Sequence, residues 1–343
     1  MELLFAGEGL NPEIDFVDSY INEFLCTEEE TGAVAQVLSN VCQNRGKMVR
    51  PALLLLAARL GPQDKTLNRQ LYKLGAIVEI VHMASLIHDD IIDDSPLRRG
   101  RPTLQQQFGK DMAVFAGDFL ISRVMYHLAR EGMTREMMTI GRTIEKMCRG
   151  ELGQMACRFD TETTIDMYLH NIYNKTVTLF IEAVQLGAVT SGCDEATVNC
   201  LTAIGEHLGY MFQIRDDLLD FISDPKREGK PVHKDFADGI YTLPVLYALG
   251  QSAYAKRLRE IASASSTDPN YGELLEEMQE LVTQSGGIDF SWQQITNHAK
   301  KARQMLRTLP DNEGREGLDR LIEQILNISG LPKNSCFALP KNV

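Results

Sequence analysis

Positive charge is in short supply in this 343-residue chain: 35 lysines and arginines stand against 47 aspartates and glutamates, for a net charge of −12 and a pI near 5.1. That deficit disfavours nucleic acid and offers no basic face to anionic lipid. Long apolar runs are missing too; the longest, PALLLLAARL at 51–60, is far too short to cross a bilayer. The stretch MELLFAGEGLNPEID has no basic segment ahead of an apolar one, so the sequence predicts no secretory leader and a cytoplasmic setting. The seven cysteines show no metal-ligand spacing, and their odd number suits a reducing compartment, where they are expected as small core hydrophobes. No proline- or glycine-rich linker divides the chain, and no stretch alternates as a strand would. The expectation is one helical domain over 1–343, with a short polar tail from about 331.

Helical patterns are separated by short turn-forming stretches, GPQDKT near 61, FDTETT near 159, TSGCDE near 190, SASSTDPNYG near 263 and LPDNEG near 309. Thr27 and Glu30 form a capping-box pattern ahead of AVAQVL.

The chemistry is carried by acidic clusters. Ahead of SLIHDDIIDDSPLRRGRPT at 85–103, the apolar residues Leu74, Ile77, Val78, Val81 and Ala84 set a helical period that runs on into the acids. Asp89 and Asp93 then share a face, while Asp90 points to the side. Like charges one turn apart destabilise a bare helix, so an apolar helix carrying them calls for a cation. A second cluster, FQIRDDLLDF at 212–221, repeats the arrangement with Asp216, Asp217 and Asp220. Carboxylates from two helices, completed by water and phosphate oxygens, suit Mg²⁺ holding a diphosphate. Carbon chemistry that expels a diphosphate needs such neutralisation as the bond breaks.

With both motifs, the chain resembles the trans-isoprenyl diphosphate synthases over nearly its whole length. GKMVRP at 46–51, AVFAGDFL at 113–120, NKTVTLF at 174–180 and GIYTLPVLYAL at 239–249 follow in the family's order. The resemblance implies an all-α bundle around a deep central cavity, a homodimer, and a magnesium-dependent prenyltransferase using about three ions per site. It places isopentenyl diphosphate on Lys47, Arg50, His82 and Arg99, and the allylic diphosphate on Arg98, Lys175, Thr176, Gln213 and Lys230. It assigns the metal to Asp89, Asp93 and Asp216, with Asp90 and Asp220 as further candidates. Catalysis is expected from Asp89, Asp93, Lys175, Thr176, Gln213 and Asp216. Two departures stand out: His233 occupies a common glycine position, where it bears on loop geometry if positive φ is needed, and Ile240 a common lysine position.

Ala84 and Ser85 lie roughly 6 to 8 Å beneath Asp89 on a helix, where short-chain relatives carry bulky aromatics. Their small size predicts an open tunnel and a long product, with a floor among Met137, Met138, Ile144 and Met147. Competing readings are a geranylgeranyl or farnesyl synthase, a regulatory subunit of a heteromeric synthase, and a helical terpene cyclase. A cyclase usually carries an Asn-Ser-Glu type second motif, whereas this chain repeats the aspartates.

Overall fold

Apolar residues recurring every three or four positions become helices along the whole chain, as the amphipathic pattern dictates. The computed structural model describes residues 10–25, 31–44, 46–62, 68–222 and 233–327. In chain order come α1 (Asn11–Leu25), α2 (Gly32–Gln43), α3 (Val49–Ala58) and α4 (Arg69–Ile92). A small hairpin of β1 (Leu97–Arg98) and β2 (Arg101–Pro102) precedes α5 (Leu104–Phe108), α6 (Lys110–Arg130) and α7 (Thr134–Ala156). Then follow α8 (Ile165–Ile172), a π-helical turn at Tyr173–Val177, α9 (Thr178–Thr190) and α10 (Glu195–Ile222). Six further helices lie within Lys234–Leu326 among the described residues. The all-α expectation holds.

The chain separates into two compact units. Unit 1 comprises Met1–Glu145, Leu179–Gly205 and Met305–Gln324; unit 2 comprises Lys146–Thr178, Glu206–Gln304 and Ile325–Val343. In unit 1, α3 is apolar on nearly every side and all ten of its residues are buried. α3 packs on α4, and α4 packs on α1 and α6. At about 1.5–3 kcal/mol for each buried large side chain, Leu53, Leu54, Leu74, Ile77 and Ile80 supply much of the drive to fold this unit. Unit 2 has its own core, with Met211, Ile214, Leu218, Phe221, Leu243 and Ile295 almost wholly buried.

α4 and α6 each reach a mean hydropathy of 1.2, long and apolar enough to cross a membrane on that measure. Buried residues make up 67% of the apolar stretch of α4, and the helix carries Glu79, His82, Asp89 and Asp90, which suits a protein core. A search for unbroken apolar runs overlooks both helices, because single polar residues interrupt them.

Two sequence expectations change, and a third falls on residues outside those described. The hairpin was not foreseen, since two-residue strands leave no alternation to read. Its turn has positive φ at both Arg99 (53°) and Gly100 (75°), the twist a two-residue hairpin favours. Helix α2 takes Thr31 as its N-cap, with no side-chain cap bond; Thr27 and Glu30 lie outside the described residues. The described cysteines are free thiols but none is fully buried, and Cys148 is exposed, so they are not the core hydrophobes expected.

Candidate active site

The first aspartate motif closes α4 in unit 1. Asn68 caps the start of the helix by accepting from the Leu71 N–H, and Asp93 ends it, its N–H bonded to the Asp89 carbonyl across 2.9 Å. Asp89 and Asp93 are therefore one turn apart, as the spacing predicts, and both are half-buried. Asp90 turns aside and is buried. Arg98 Nε and Nη2 each donate to its Oδ1 across 2.8 Å, and Gln105 Nε2 donates to its backbone carbonyl across 2.7 Å. Burial raises the Asp90 carboxyl, opposed by Arg98 and reinforced by Asp89 and Asp93.

Around this helix end, unit 1 gathers cations. His82 is held well below the ordinary imidazole range, first by burial and then by Arg50, Arg99 and Arg98. So much positive charge gathered at one helix end suits an anion. Arg50 is itself buried against the Phe180 ring, 5.1 Å from its centroid. Burial lowers its pKa to about 10, with buried Glu79 pulling the other way. Gly46 packs closely here: a Cβ in its place would stand 3.2 Å from Arg99 Nη1 and Nη2 and Glu79 Oε1, so those side-chain ends would have to shift by a few tenths of an ångström. Lys47 is half-buried beside Met48, whose φ of 52° starts α3 in the left-handed region. A cavity of about 320 Å³ in this unit is lined by Gly46, Glu79, Met83, Asp90, Arg98 and Arg99. A hollow of about 420 Å³ at Arg69, Lys73, Glu131 and Glu136, near the start of α4, contains none of the predicted site residues.

Ala84 is fully buried in α4 and Ser85 half-buried, its hydroxyl donating to the His82 carbonyl across 2.8 Å. Of the proposed floor residues, Met138 is 69% exposed and cannot close a tunnel within this chain. Met147 is buried, Met137 and Ile144 are half-buried, and the inward residues of α7 that the pattern missed are Ile140 and Thr143.

The second aspartate motif belongs to unit 2. Lys175 and Thr176 sit on the π-helical turn, a local widening that often marks functional sites. Glu151 Oε1 lies 2.6 Å from Lys175 Nζ. Gly150 permits this, since a Cβ there would stand 2.4 Å from the Lys175 backbone nitrogen. Thr176 Oγ1 donates to Gln213 Oε1 across 2.6 Å, so the sequence-predicted pair is brought together. On α10, Asp216 is exposed, Asp220 half-buried and Asp217 buried. Burial lifts Asp217 to about 7, against the hydrogen bonds from Tyr168 and Gln213. Asp220 rises to about 6, chiefly through burial, despite the backbone N–H groups of Asp235 and Lys234 that bond it. Asp235 is pushed well above the usual range by burial and by Asp220, Asp217 and Asp216.

His233 adopts φ 61°, so the position does demand the left-handed conformation that glycine meets more cheaply. Ile240 is half-buried, its N–H bonded to the Asp235 carbonyl across 2.7 Å. Lys230 lies outside the described residues.

The polyprenyl synthetase sequence model matches residues 32–280. The chain belongs to that family, and it is a trans-prenyltransferase. It is 35% identical to heptaprenyl diphosphate synthase component 2 of Geobacillus stearothermophilus, over 84% of this chain and 88% of that one. It is 32% identical to the all-trans-nonaprenyl-diphosphate synthase of Rhodobacter capsulatus, over 91% and 93%. The crystal structure of heptaprenyl diphosphate synthase from Staphylococcus aureus superposes with a TM-score of 0.85 at 31% identity, covering 93% of this chain and 98% of that one.

The acids of this prenyltransferase fit the magnesium its family uses. Their donors are all hard oxygens, and buried Asp220 Oδ2 has no hydrogen-bond partner in the protein. Among the described residues no three His, Cys, Asp or Glu side chains converge into a ready-made ion cage. Mg²⁺ is commonly held by one or two carboxylates plus substrate phosphates, so a prenyltransferase acting on diphosphates needs no such cage. Sequence reasoning missed Glu79, Glu151, Tyr168 and Asp235. Only Asp235 left a signal, an acid in HKD a short way past the second motif.

Proposed function

We propose that the protein condenses isopentenyl diphosphate head to tail with an allylic diphosphate, repeating the step to a long all-trans chain. The names of its relatives, heptaprenyl and nonaprenyl synthases, support a product of about six to ten isoprene units. The observation that carries the reading is the cavity of about 320 Å³ that Arg98 and Arg99 line together with Asp90 of the first aspartate motif; burial and the charges of Arg50, Arg99 and Arg98 hold nearby His82 well below the ordinary imidazole range.

Lys47, Arg50, His82 and Arg99 hold isopentenyl diphosphate in unit 1. Asp89 and Asp93 there, and Asp216 and Asp220 in unit 2, serve as magnesium ligands. Magnesium, when bound, neutralises the charge that builds on a departing diphosphate. Arg98, Lys175 and Lys230 stabilise the same charge. The allylic C1–O bond breaks with its electron pair on the diphosphate. The double bond of isopentenyl diphosphate supplies the pair for the new carbon–carbon bond, and the proton lost beside it passes to the released diphosphate. Thr176 and Gln213 turn oxygen toward the developing cation. The apolar wall matters equally, because water reaching that cation gives an alcohol.

Assembly belongs to the same proposal. Val114 and Phe115 on α6 are exposed, Phe115 by 71%, and such apolar side chains suit a subunit interface. A homodimer follows from the family resemblance; the "component 2" in the Geobacillus relative's name makes a second kind of subunit the competing partner. The test uses the purified chain alone with magnesium, isopentenyl diphosphate and an allylic primer, with chromatography of the dephosphorylated products and light scattering for mass. Long polyprenols from a dimer support the reading; no incorporation without a second protein overturns the homodimer.

A further inference from the structure

Four side chains of unit 2 form one hydrogen-bonded line. Tyr168 Oη donates to Asp217 Oδ2 across 2.5 Å, Gln213 Nε2 donates to Asp217 Oδ1 across 2.8 Å, and Thr176 Oγ1 donates to Gln213 Oε1 across 2.6 Å. The directions follow from the chemistry of each group. An amide nitrogen only donates, so with Asp217 fixed the Gln213 side chain has one orientation, its oxygen toward Thr176. The Thr176 hydroxyl hydrogen is then committed to Gln213, and what Oγ1 has left to offer is electron density.

Tyr168 and Asp217 are both buried, at 6% exposure each. They stand on α8 and α10, and Thr176 on the π-helical turn that follows α8 directly. Both Asp217 oxygens accept a bond from a neutral donor, whereas Asp220 keeps a buried oxygen without a partner and Asp216 is exposed. Within one motif the middle acid is thus a strut, and Asp220 is the acid with an oxygen still to offer an ion. Hydrogen bonds in series polarise one another in a low dielectric, so the bond Gln213 gives to Asp217 makes its oxygen a better acceptor for Thr176 and enriches the Thr176 oxygen.

We propose that Tyr168 is a positioning residue for prenyl transfer: with Asp217 it fixes the Gln213 amide, and through it turns the Thr176 oxygen, stripped of its free hydrogen, toward the allylic carbon as positive charge develops. The inference rests on the prenyltransferase reading above. It predicts that Tyr168 acts on the chemical step through Thr176, and that neither Tyr168 nor Asp217 takes part in holding magnesium.

The experiment compares Tyr168→Phe, Thr176→Val, the double variant, Asp217→Asn and Asp216→Asn with wild type. Tyr168→Phe keeps the ring and deletes one bond; kcat should fall about tenfold with both KM values within about twofold, since ground-state binding is untouched. Adding it to Thr176→Val should bring no further loss, because groups acting as one unit are not additive. Calorimetry of Mg²⁺ with inorganic diphosphate supplies a readout independent of turnover. Asp216→Asn should weaken that binding by at least about tenfold, and Tyr168→Phe and Asp217→Asn by less than about twofold. Multiplying losses in the double variant would overturn the proposal by reducing Tyr168 to a helix tie. Asp217→Asn weakening binding as much as Asp216→Asn would overturn it by making Asp217 a ligand. Wild-type protein that forms no polyprenyl product, alone or with a second subunit, overturns the prenyltransferase reading and this inference together, whereas either variant outcome, with wild-type turnover intact, removes this inference alone.

Discussion

Arg98 approaches Asp90 with two nitrogens, Nε and Nη2, each 2.8 Å from Oδ1. The middle acid of the first motif is thereby committed to orienting a guanidinium on the hairpin strand Leu97–Arg98, just as the middle acid of the second motif is committed to Tyr168 and Gln213. Asp90→Asn should loosen Arg98 and raise the allylic KM about tenfold while kcat changes less. The partly exposed pair contributes about 1–2 kcal/mol, read from urea unfolding. A loss of turnover equal to that of Asp89→Ala would instead make Asp90 a metal ligand.

Asp89→Ala and Asp216→Ala should each lower turnover by several orders of magnitude while the far-ultraviolet circular dichroism stays that of a helical protein. Removing one of several mutually repelling acids leaves stability unchanged or higher. Near-normal turnover at saturating magnesium in either variant would sink the assignment.

Arg50→Ala should raise the KM for isopentenyl diphosphate far more than that for the allylic partner. It should also destabilise the fold, because Glu79, 1% exposed, loses a buried cation that helps balance its charge. Arg50→Lys should recover much of the stability and little of the affinity, since an ammonium cannot reproduce the planar fork. Equal effects on both KM values would refute separate diphosphate sites.

Acid sensitivity has an identifiable source in His127 of α6, buried and stacked on Phe24 with ring centroids 4.0 Å apart. Burial first, then Arg130 and Arg123, holds its pKa down from 6.5 to about 4. The native state therefore keeps the ring neutral while the unfolded chain takes up a proton. Its contribution to stability is full above pH 6.5 and is lost as pH falls toward 4, with a slope approaching about 1.4 kcal/mol per pH unit. His298, held at about 4 by burial, His207 and Lys301, adds in the same direction. His127→Phe should flatten the curve by one proton's share in denaturant titrations from pH 7 to 4. An unchanged slope would show that the ring is already accessible to protons in the folded protein.

Ala84→Phe should shorten the product to about three or four isoprene units while leaving ionisation intact, because the ring narrows the path and touches no acid. Ala84 is fully buried, so the variant should also lose about 1–3 kcal/mol to overpacking. Ser85→Phe, at a half-buried position on the same helix, should shorten the product with a smaller stability cost. Chromatography of dephosphorylated products decides the matter; an unchanged distribution in both variants would remove these positions from chain-length control.

What the sequence by itself determined were the features governed by local spacing. Helical periodicity and the turn-forming stretches near 159, 190, 263 and 309 located the helices, because amphipathic patterning and turn chemistry act over a few residues. The same short range placed Asp89 one turn from Asp93, and Asp216 from Asp220. His233 was marked through the family resemblance, as the occupant of a common glycine position, and its φ of 61° bears that concern out.

Only the tertiary structure decided which acid serves which partner. Tyr168 meets Asp217 across 49 positions of chain, Glu151 meets Lys175 from a different helix, and Glu79 lies buried among the arginines that face His82. Each of these pairings depends on packing between distant segments, and a lone tyrosine or glutamate on a helix gives no local sign of it. Within each DDxxD run the letters are alike, so burial and hydrogen bonding alone single out the middle aspartates, Asp90 and Asp217, as the ones that orient Arg98 and Gln213.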